Sequence, residues 1–150
     1  MSKVCSKKEE KDMYERKVLG FAEAEKAVQA MVEEASKGRP MSIAVVDPWG
    51  NPIHFVRMDG AGPLTARMAM NKAYTAASFG MDTRMFNGWL KEADKDIAWY
   101  DDHRLTAVFG GVCIRLTDHT MVGAIGTSGR TQEEDEALAL VGLDAIKDVL

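Results

Sequence analysis

Apolar residues recur at helical spacing from Phe21, with Ala24, Ala27, Val28, Met31 and Ala35 on one stripe and Glu23, Lys26, Glu33 and Glu34 mostly off it. Gly38 and Pro40 stop this helix. The period then shortens. Ser42-Ile-Ala-Val-Val46 is rich in β-branched residues and reads as a buried strand, and Ile53 to Met58 returns as its partner. Between them Asp47-Pro-Trp-Gly-Asn51 is a turn, because Pro48 presets φ at its second position and Gly50 supplies a left-handed one. The two strands therefore make a hairpin.

Asp59-Gly-Ala-Gly-Pro63 breaks the chain again. Thr65 to Phe79 reads as a helix with a smooth small-residue face of Ala66, Ala69, Met70, Ala73 and Ala77, and Gly80 stands at its C-cap. Asp82 or Thr83 can cap a further short helix carrying Phe86, Trp89 and Leu90. A polar connection follows, Lys91 to Asp96 and then Trp99-Tyr-Asp-Asp-His103. Leu105 to Leu116 and Met121 to Ile125 form a second hairpin around Thr117-Asp-His119. Thr131 with Glu134 is a capping box that opens a last helix, with Leu138, Val141, Ala145 and Val149 inward. The expected order is α-β-β-α-α-β-β-α. Hairpins make an antiparallel sheet, and amphipathic helices must cover one of its faces, which gives an α+β sandwich. One hairpin alone is marginal, so the two join into one sheet of four or more strands.

Composition narrows the class. The 150 residues make one domain, with residues 1–20 as a charged N-terminal extension and 21–150 as the folded unit. Hydrophobic residues at 46% and charged residues at 28% are globular proportions. The 19 basic against 23 acidic residues leave a net charge of −4, which argues against a general nucleic-acid binder. No apolar run approaches the roughly 18 residues of a membrane span. Met1 to Lys17 has mixed charge without an apolar segment and does not read as a signal peptide. Cys5 and Cys113 are too sparse for a disulfide framework, so a reducing cytoplasm is expected. Ten methionines against five phenylalanines suit irregular core gaps, adaptable pockets or subunit contacts.

No Walker loop, HExxH, CxxC or GxSxG occurs. Gly123-Ala-Ile-Gly126, Ser128-Gly129 and a helix start at Thr131 form a glycine-rich strand-to-helix turn, which can hold an anion on free N–H groups or simply pack tightly. His54 faces opposite to Ile53 and Phe55; it is a pocket histidine if that face is core and a solvated one if not. His119 falls in a turn. Asp101-Asp102-His103-Arg104 is the densest polar cluster, where a carboxylate can orient an imidazole as base or metal ligand, or the whole loop can be solvated. Arg57 precedes a glycine-rich loop, placed either to grip a carboxylate or phosphate at two points or to pair with Asp59. Lys72, near Tyr74 and Thr75 on an otherwise small and apolar helix, either snorkels to water or faces a ligand.

Six segments in order carry a resemblance: Ser42-Ile-Ala-Val-Val-Asp47, Phe55-x-Arg-Met-Asp-Gly-Ala61, Lys72-Ala-Tyr-Thr-Ala-Ala77, Phe79-Gly-Met-x-Thr83, Phe109-Gly-Gly111 and Gly123-Ala-Ile-Gly-x-Ser-Gly129. Together they resemble the GlcG/HbpS family of haem-binding and haem-degrading-like proteins, to which the C-terminal domain of PduO-type corrinoid adenosyltransferases also belongs. The resemblance covers roughly Phe21 to Val149. It implies a profilin-like fold of four to five antiparallel strands with helices packed on them, assembly into homo-oligomers, and a pocket that accepts haem in some members. It places Arg57, Asp59, Lys72, Thr75 and the Gly110-Gly111 turn in the shared pocket region.

The chain departs from that pattern. Val112 stands where the family writes a third glycine, His54 where it has a small or aliphatic residue, and Arg130 within its usual Gly-Gly-Thr; the acidic and aromatic stretch Lys91 to Asp102 replaces a glycine- and proline-rich loop. These changes add groups that bind or move protons. Two functions follow, with a structural or regulatory subunit as a third. One is a cytoplasmic oligomer that binds a small organic ligand, a tetrapyrrole such as haem by resemblance. The other is a catabolic enzyme on a small carboxylic acid, an isomerase, hydratase or hydrolase. There Arg57 or Arg130 anchors the carboxylate and His54 or His103, the latter beside Asp102, moves a proton.

Overall fold

The elements form in the expected order: α1 (Phe21–Ala35), β1 (Ser42–Val46), β2 (Pro52–Arg57), α2 (Pro63–Phe79), α3 (Thr83–Glu92), β3 (Gly111–Arg115), β4 (Met121–Ser128) and α4 (Gln132–Ala145). Single 3-10 turns follow α3, at Ile97–Tyr100, and α4, at Lys147–Val149. The computed structural model describes residues 12–150, so Cys5 lies outside the described residues. None of the described helices is long and apolar enough to cross a membrane.

The two hairpins join through their inner strands into one antiparallel sheet of order β2-β1-β4-β3. Val45 stands opposite His54 on one side and Ile125 on the other, and Ala44 opposite Phe55 and Gly126. Directly opposed residues share a face, so the sheet divides cleanly. One face carries Ile43, Val45, Val112, Ile114 and Ile125, packed with Ala24, Met31, Leu138 and Ile146 from α1, α4 and its end. The other carries Ala44, Val46, Cys113 and Ala124 against Ala69, Ala73, Ala76 and Ala77 of α2. Helices therefore cover both faces, where the hairpin argument expects one. The sign was present in β1, buried along its whole length, since a strand sandwiched between helices needs no polar alternation.

The small residues on the α2 side have a steric cause. A Cβ on Gly126 would overlap the Ala69 carbonyl oxygen and stand 2.6 Å from the Ala73 nitrogen. One on Gly111 would overlap the Lys72 carbonyl and lie 2.6 Å from Thr83 Cγ2. The backbone of α2 rests almost directly on glycine.

Three boundaries differ from the sequence pattern. Leu105 to Gly110 is loop, not strand, because its polar groups are tied to helices: the Thr106 N–H donates to Thr75 Oγ1 at 3.0 Å and Asn87 Nδ2 to the Ala107 carbonyl at 3.0 Å. Strand β4 runs on to Ser128. Helix α4 ends at Ala145, so Ile146 takes the inward position expected of Val149, which is 53% exposed.

The two sheet edges are treated differently. On β3 the outward N–H groups of Gly111 and Cys113 are occupied by Thr83 Oγ1 (2.9 Å) and Asp82 Oδ1 (2.8 Å) from the start of α3. On the opposite edge β2 has no strand beside it among the described residues. At the N-terminal side Leu19 is buried against Gly123, with its N–H bonded to the Val122 carbonyl at 2.9 Å.

Gly126→Ala forces α2 off the sheet. A loss of about 3 kcal/mol or more is expected in urea unfolding, against no loss and a gain of up to about 1 kcal/mol for Gly88→Ala in the interior of α3, where the added methyl meets open space.

Candidate functional site

Lys72, Gly110 and Gly111 meet at one point, around a buried ion pair. Lys72 leaves α2 with its side chain 1% exposed, and Nζ donates to the Thr127 carbonyl at 2.9 Å and to Asp135 Oδ2 at 2.8 Å. Asp135 sits on α4, across the sheet. Gly110, at φ +123°, clears the path: a Cβ there would lie 3.1 Å from Lys72 Cδ and 2.8 Å from the Thr127 oxygen. Asp135 Oδ1 accepts the Arg130 N–H at 2.9 Å, and the Thr127 hydroxyl donates to the Asp135 carbonyl. Burial dominates both partners, lowering the Lys72 pKa and raising that of Asp135, while each partner's hydrogen bond and charge act the other way. The anion at the start of α4 is thus the chain's own carboxylate, and Thr131 caps the helix by accepting the Glu134 N–H at 3.2 Å.

The arginines divide. Arg130 Nε and Nη2 donate to the Arg39 carbonyl (3.0 and 2.6 Å), and Nη2 also to that of Ala35 (2.8 Å), so the guanidinium complements the C-terminal end of α1. Arg57 and Asp59 are exposed at the end of β2, and no ion pair joins them among the described residues.

Thr75 donates to the Asn71 carbonyl at 2.8 Å while accepting from Thr106, and so pins the 97–108 segment to α2. Next to it the Tyr74 hydroxyl donates to Asp102. Arg104 reaches both Asp102 oxygens at 3.0 Å and lies 4.1 Å above the Tyr74 ring. Arg104 first, then Tyr74, hold the Asp102 carboxyl well below the usual range. His103 is exposed beside them. His54 belongs to the other face of the sheet, where it opposes Val45 and stacks on Phe21 with ring centres 5.7 Å apart. The fold therefore brings Asp102 and His103 together and leaves His54 and Arg130 elsewhere.

A different place has the shape of a receptor. Along the outer edge of β3, the α2–α3 corner (Met81, Asp82, Met85) and α4 (Leu140, Leu143) wall a slot of about 530 Å³ floored by Val112, Cys113 and Arg115. That volume is within the range of small-molecule sites. Its lips are apolar and uncovered, with Met85 62% and Leu140 46% exposed. Nearby, the Arg84 Nε–H is shared between both Glu136 carboxylate oxygens at 2.9 and 3.0 Å, and its guanidinium lies 4.3 Å over the Phe109 ring. Lys147 also lines the slot, and beyond Leu116 and Leu150 a second recess of about 410 Å³ continues past Leu19 and Val122. Burial first, then the nearby Asp82 carboxylate, push the Cys113 thiol up to about 12. Burial likewise raises Asp82, against the pull of the Cys113 N–H. Among the described residues no three His, Cys, Asp or Glu side chains converge as a metal site. Nothing in the chemistry-bearing motifs points to this slot. The available signal was the methionine excess, since among the described residues only Met31 and Met41 are fully buried, together with Met81 inside Phe79-Gly-Met-x-Thr83.

Comparison with known proteins places the chain and its fold. The family described as "Haem degrading protein HbpS-like" matches residues 19–144. Protein GlcG of Escherichia coli (strain K12) is 31% identical over 112 residues, 74% of this chain and 81% of GlcG. A doubly substituted HbpS from Streptomyces reticuli superposes with a TM-score of 0.82 at 32% identity, covering 91% of this chain and 92% of that one. The fold also matches a PduOC–haem complex at a TM-score of 0.77 and 23% identity, covering 86% of this chain and 95% of the other.

Lys72→Met leaves Asp135 buried without its partner and should cost about 3–5 kcal/mol, whereas Lys72→Met with Asp135→Leu should recover most of that in the same unfolding assay. For Asp102 the native pKa lies below its ordinary 3.8, so its stabilising contribution is full above that pH and fades as pH falls toward the depressed value. The group is largely solvated, so Asp102→Asn should remove no more than about 1 kcal/mol at pH 7 and flatten the wild-type loss of stability below pH 4.

Proposed function

This chain belongs to the HbpS-like family, and on that premise we propose that it is a small-ligand-binding protein whose slot along β3 receives haem or a related tetrapyrrole. The observation that carries the reading is the pair of uncovered apolar lips, Met85 and Leu140, facing one another across a sheet edge. Apolar side chains left in water on both walls of a cavity gain about 25 cal/mol for every Å² that a ligand covers. A flat, largely apolar molecule covers both walls at once.

The donor set suits that ligand. Val112, Leu116, Leu140 and Leu143 offer apolar contact, Met81, Met85 and Cys113 offer sulfur, and Arg115 and Lys147 offer positive charge for carboxylate tails. Bound haem would supply redox-active iron. The chain's own residues bind the ring, exclude water from its faces and neutralise its acidic substituents. The family description names haem, and the PduOC neighbour holds haem in its own structure, which supports the same ligand class.

The reading includes a homo-oligomer in a reducing, cytoplasmic setting. Support for the first comes from exposed Phe21 and Phe55 on either side of β2, and for the second from Cys113, a buried free thiol.

Hemin titrated into the purified protein should give a saturable, sharpened Soret band. Leu140→Glu, which sets a charge on the lip without disturbing the core, should weaken binding at least tenfold, while His54→Ala leaves it unchanged. A wild-type titration indistinguishable from free hemin overturns the reading.

A further inference from the structure

We infer that the slot holds haem iron through sulfur, with the Met85 thioether as axial ligand. The inference rests on the tetrapyrrole reading and deepens it. It follows from which donors the slot contains and how each is held.

No histidine lines the slot. His54 is stacked on Phe21 across the sheet, His103 lies in the segment beyond the 3-10 turn, and His119 sits in the β3–β4 turn at φ +71°. The usual imidazole ligand is thus absent from the wall. What remains are two basic side chains, one carboxyl group, the neutral hydroxyl of Thr117 and three sulfurs, and of these the sulfurs are the donors of a kind that ligates haem iron. Arg115 is bound to backbone carbonyls, donating to His119 at 3.1 Å and to Gly80. Lys147 is paired with Asp144 at 2.9 Å. Asp82 holds the Cys113 N–H at 2.8 Å and is needed where it is to finish the edge of β3.

Among the sulfurs, Cys113 is buried, and its Sγ donates to the Ala76 carbonyl at 3.4 Å. Beside Asp82, burial keeps that thiol protonated, and iron takes the thiolate. Met81 is half-buried in the corner after α2, where its backbone N–H donates to the Ala76 carbonyl at 3.3 Å. Met85 differs from both. It stands in the first turn of α3, with an unbranched side chain mostly in water and three rotatable bonds to bring its sulfur over a ring lying between the lips. Thioether ligation also raises the potential of haem iron, so the position has a functional signature.

The test uses the full chain loaded with hemin. Wild type should show the near-infrared sulfur-to-iron band of thioether-ligated ferric haem. Met85→Leu, which conserves volume, should keep a saturable Soret band, lose the sulfur band and lower the potential of the bound haem. Met81→Leu and Cys113→Ser should keep the band. Saturable binding without a sulfur band in wild type overturns the inference and leaves the tetrapyrrole reading standing. So does a band that survives Met85→Leu or disappears with Cys113→Ser. No saturable Soret change at all overturns the reading and the inference together. Far-ultraviolet circular dichroism on each variant separates lost ligation from lost fold.

Discussion

Helix α2 lies against the sheet at the distance of backbone contact, and the rest of the architecture is arranged around that approach. It demands glycine at positions 111 and 126 on the strands and alanine at 69, 73, 76 and 77 on the helix. A layer so thin buries little apolar area for each residue, and the large side chains of the core lie instead on the α1–α4 face. The same closeness lets Lys72, whose own backbone is in contact with the sheet, pass its side chain by Gly110 to Asp135 on the far layer. With α2 thin and tight, the α2–α3 corner sits close over the end of β3, and the slot opens between that corner and α4.

Charge is used in two distinct ways. Between the helical layers, Lys72 and Asp135 form a dry pair in which the ammonium nitrogen and both carboxylate oxygens have partners, and no buried side-chain polar atom among the described residues is left without one. Such a pair adds little net stability over apolar residues of the same volume, but it penalises any arrangement that separates its members. At the surface, Arg84 on Glu136 fastens one helix to another, and the Arg104–Asp102 pair, bound by the Tyr74 hydroxyl, fastens a loop to α2, both at low cost and in contact with water.

The order of elements was legible because helical and strand periods alternate clearly; the Thr131 half of the expected capping box and the C-cap at Gly80 are present in the structure. The second covered face was harder to see. α2 presents alanines, and a small-residue stripe looks like an exposed neutral face as much as a packed one. Lys72 shows the limit for the site. Its spacing says that it lies near an apolar face, but its partner is 63 positions away across the sheet, and only the fold reveals that both are dry. Arg130 was conspicuous in sequence for its charge, yet it serves the carbonyls at the end of α1. The slot escaped notice for the converse reason. Met85 and Leu140 are ordinary apolar residues, and what distinguishes them is that nothing covers them.

The unequal finish of the two sheet edges gives the molecule a direction. Asp82 and Thr83 occupy the outward N–H groups of β3, so a foreign strand finds no free donors at Gly111 or Cys113, while β2 remains open. A sheet that can be extended at both sides propagates without limit, each added chain offering a fresh edge to the next. Among the described residues β2 is the edge left open, so a pairing of β2 with β2 in two copies would consume it, and the composite sheet would then end in β3 on both sides. A contact of that kind would close on itself as a pair and offer no fresh edge to a third copy.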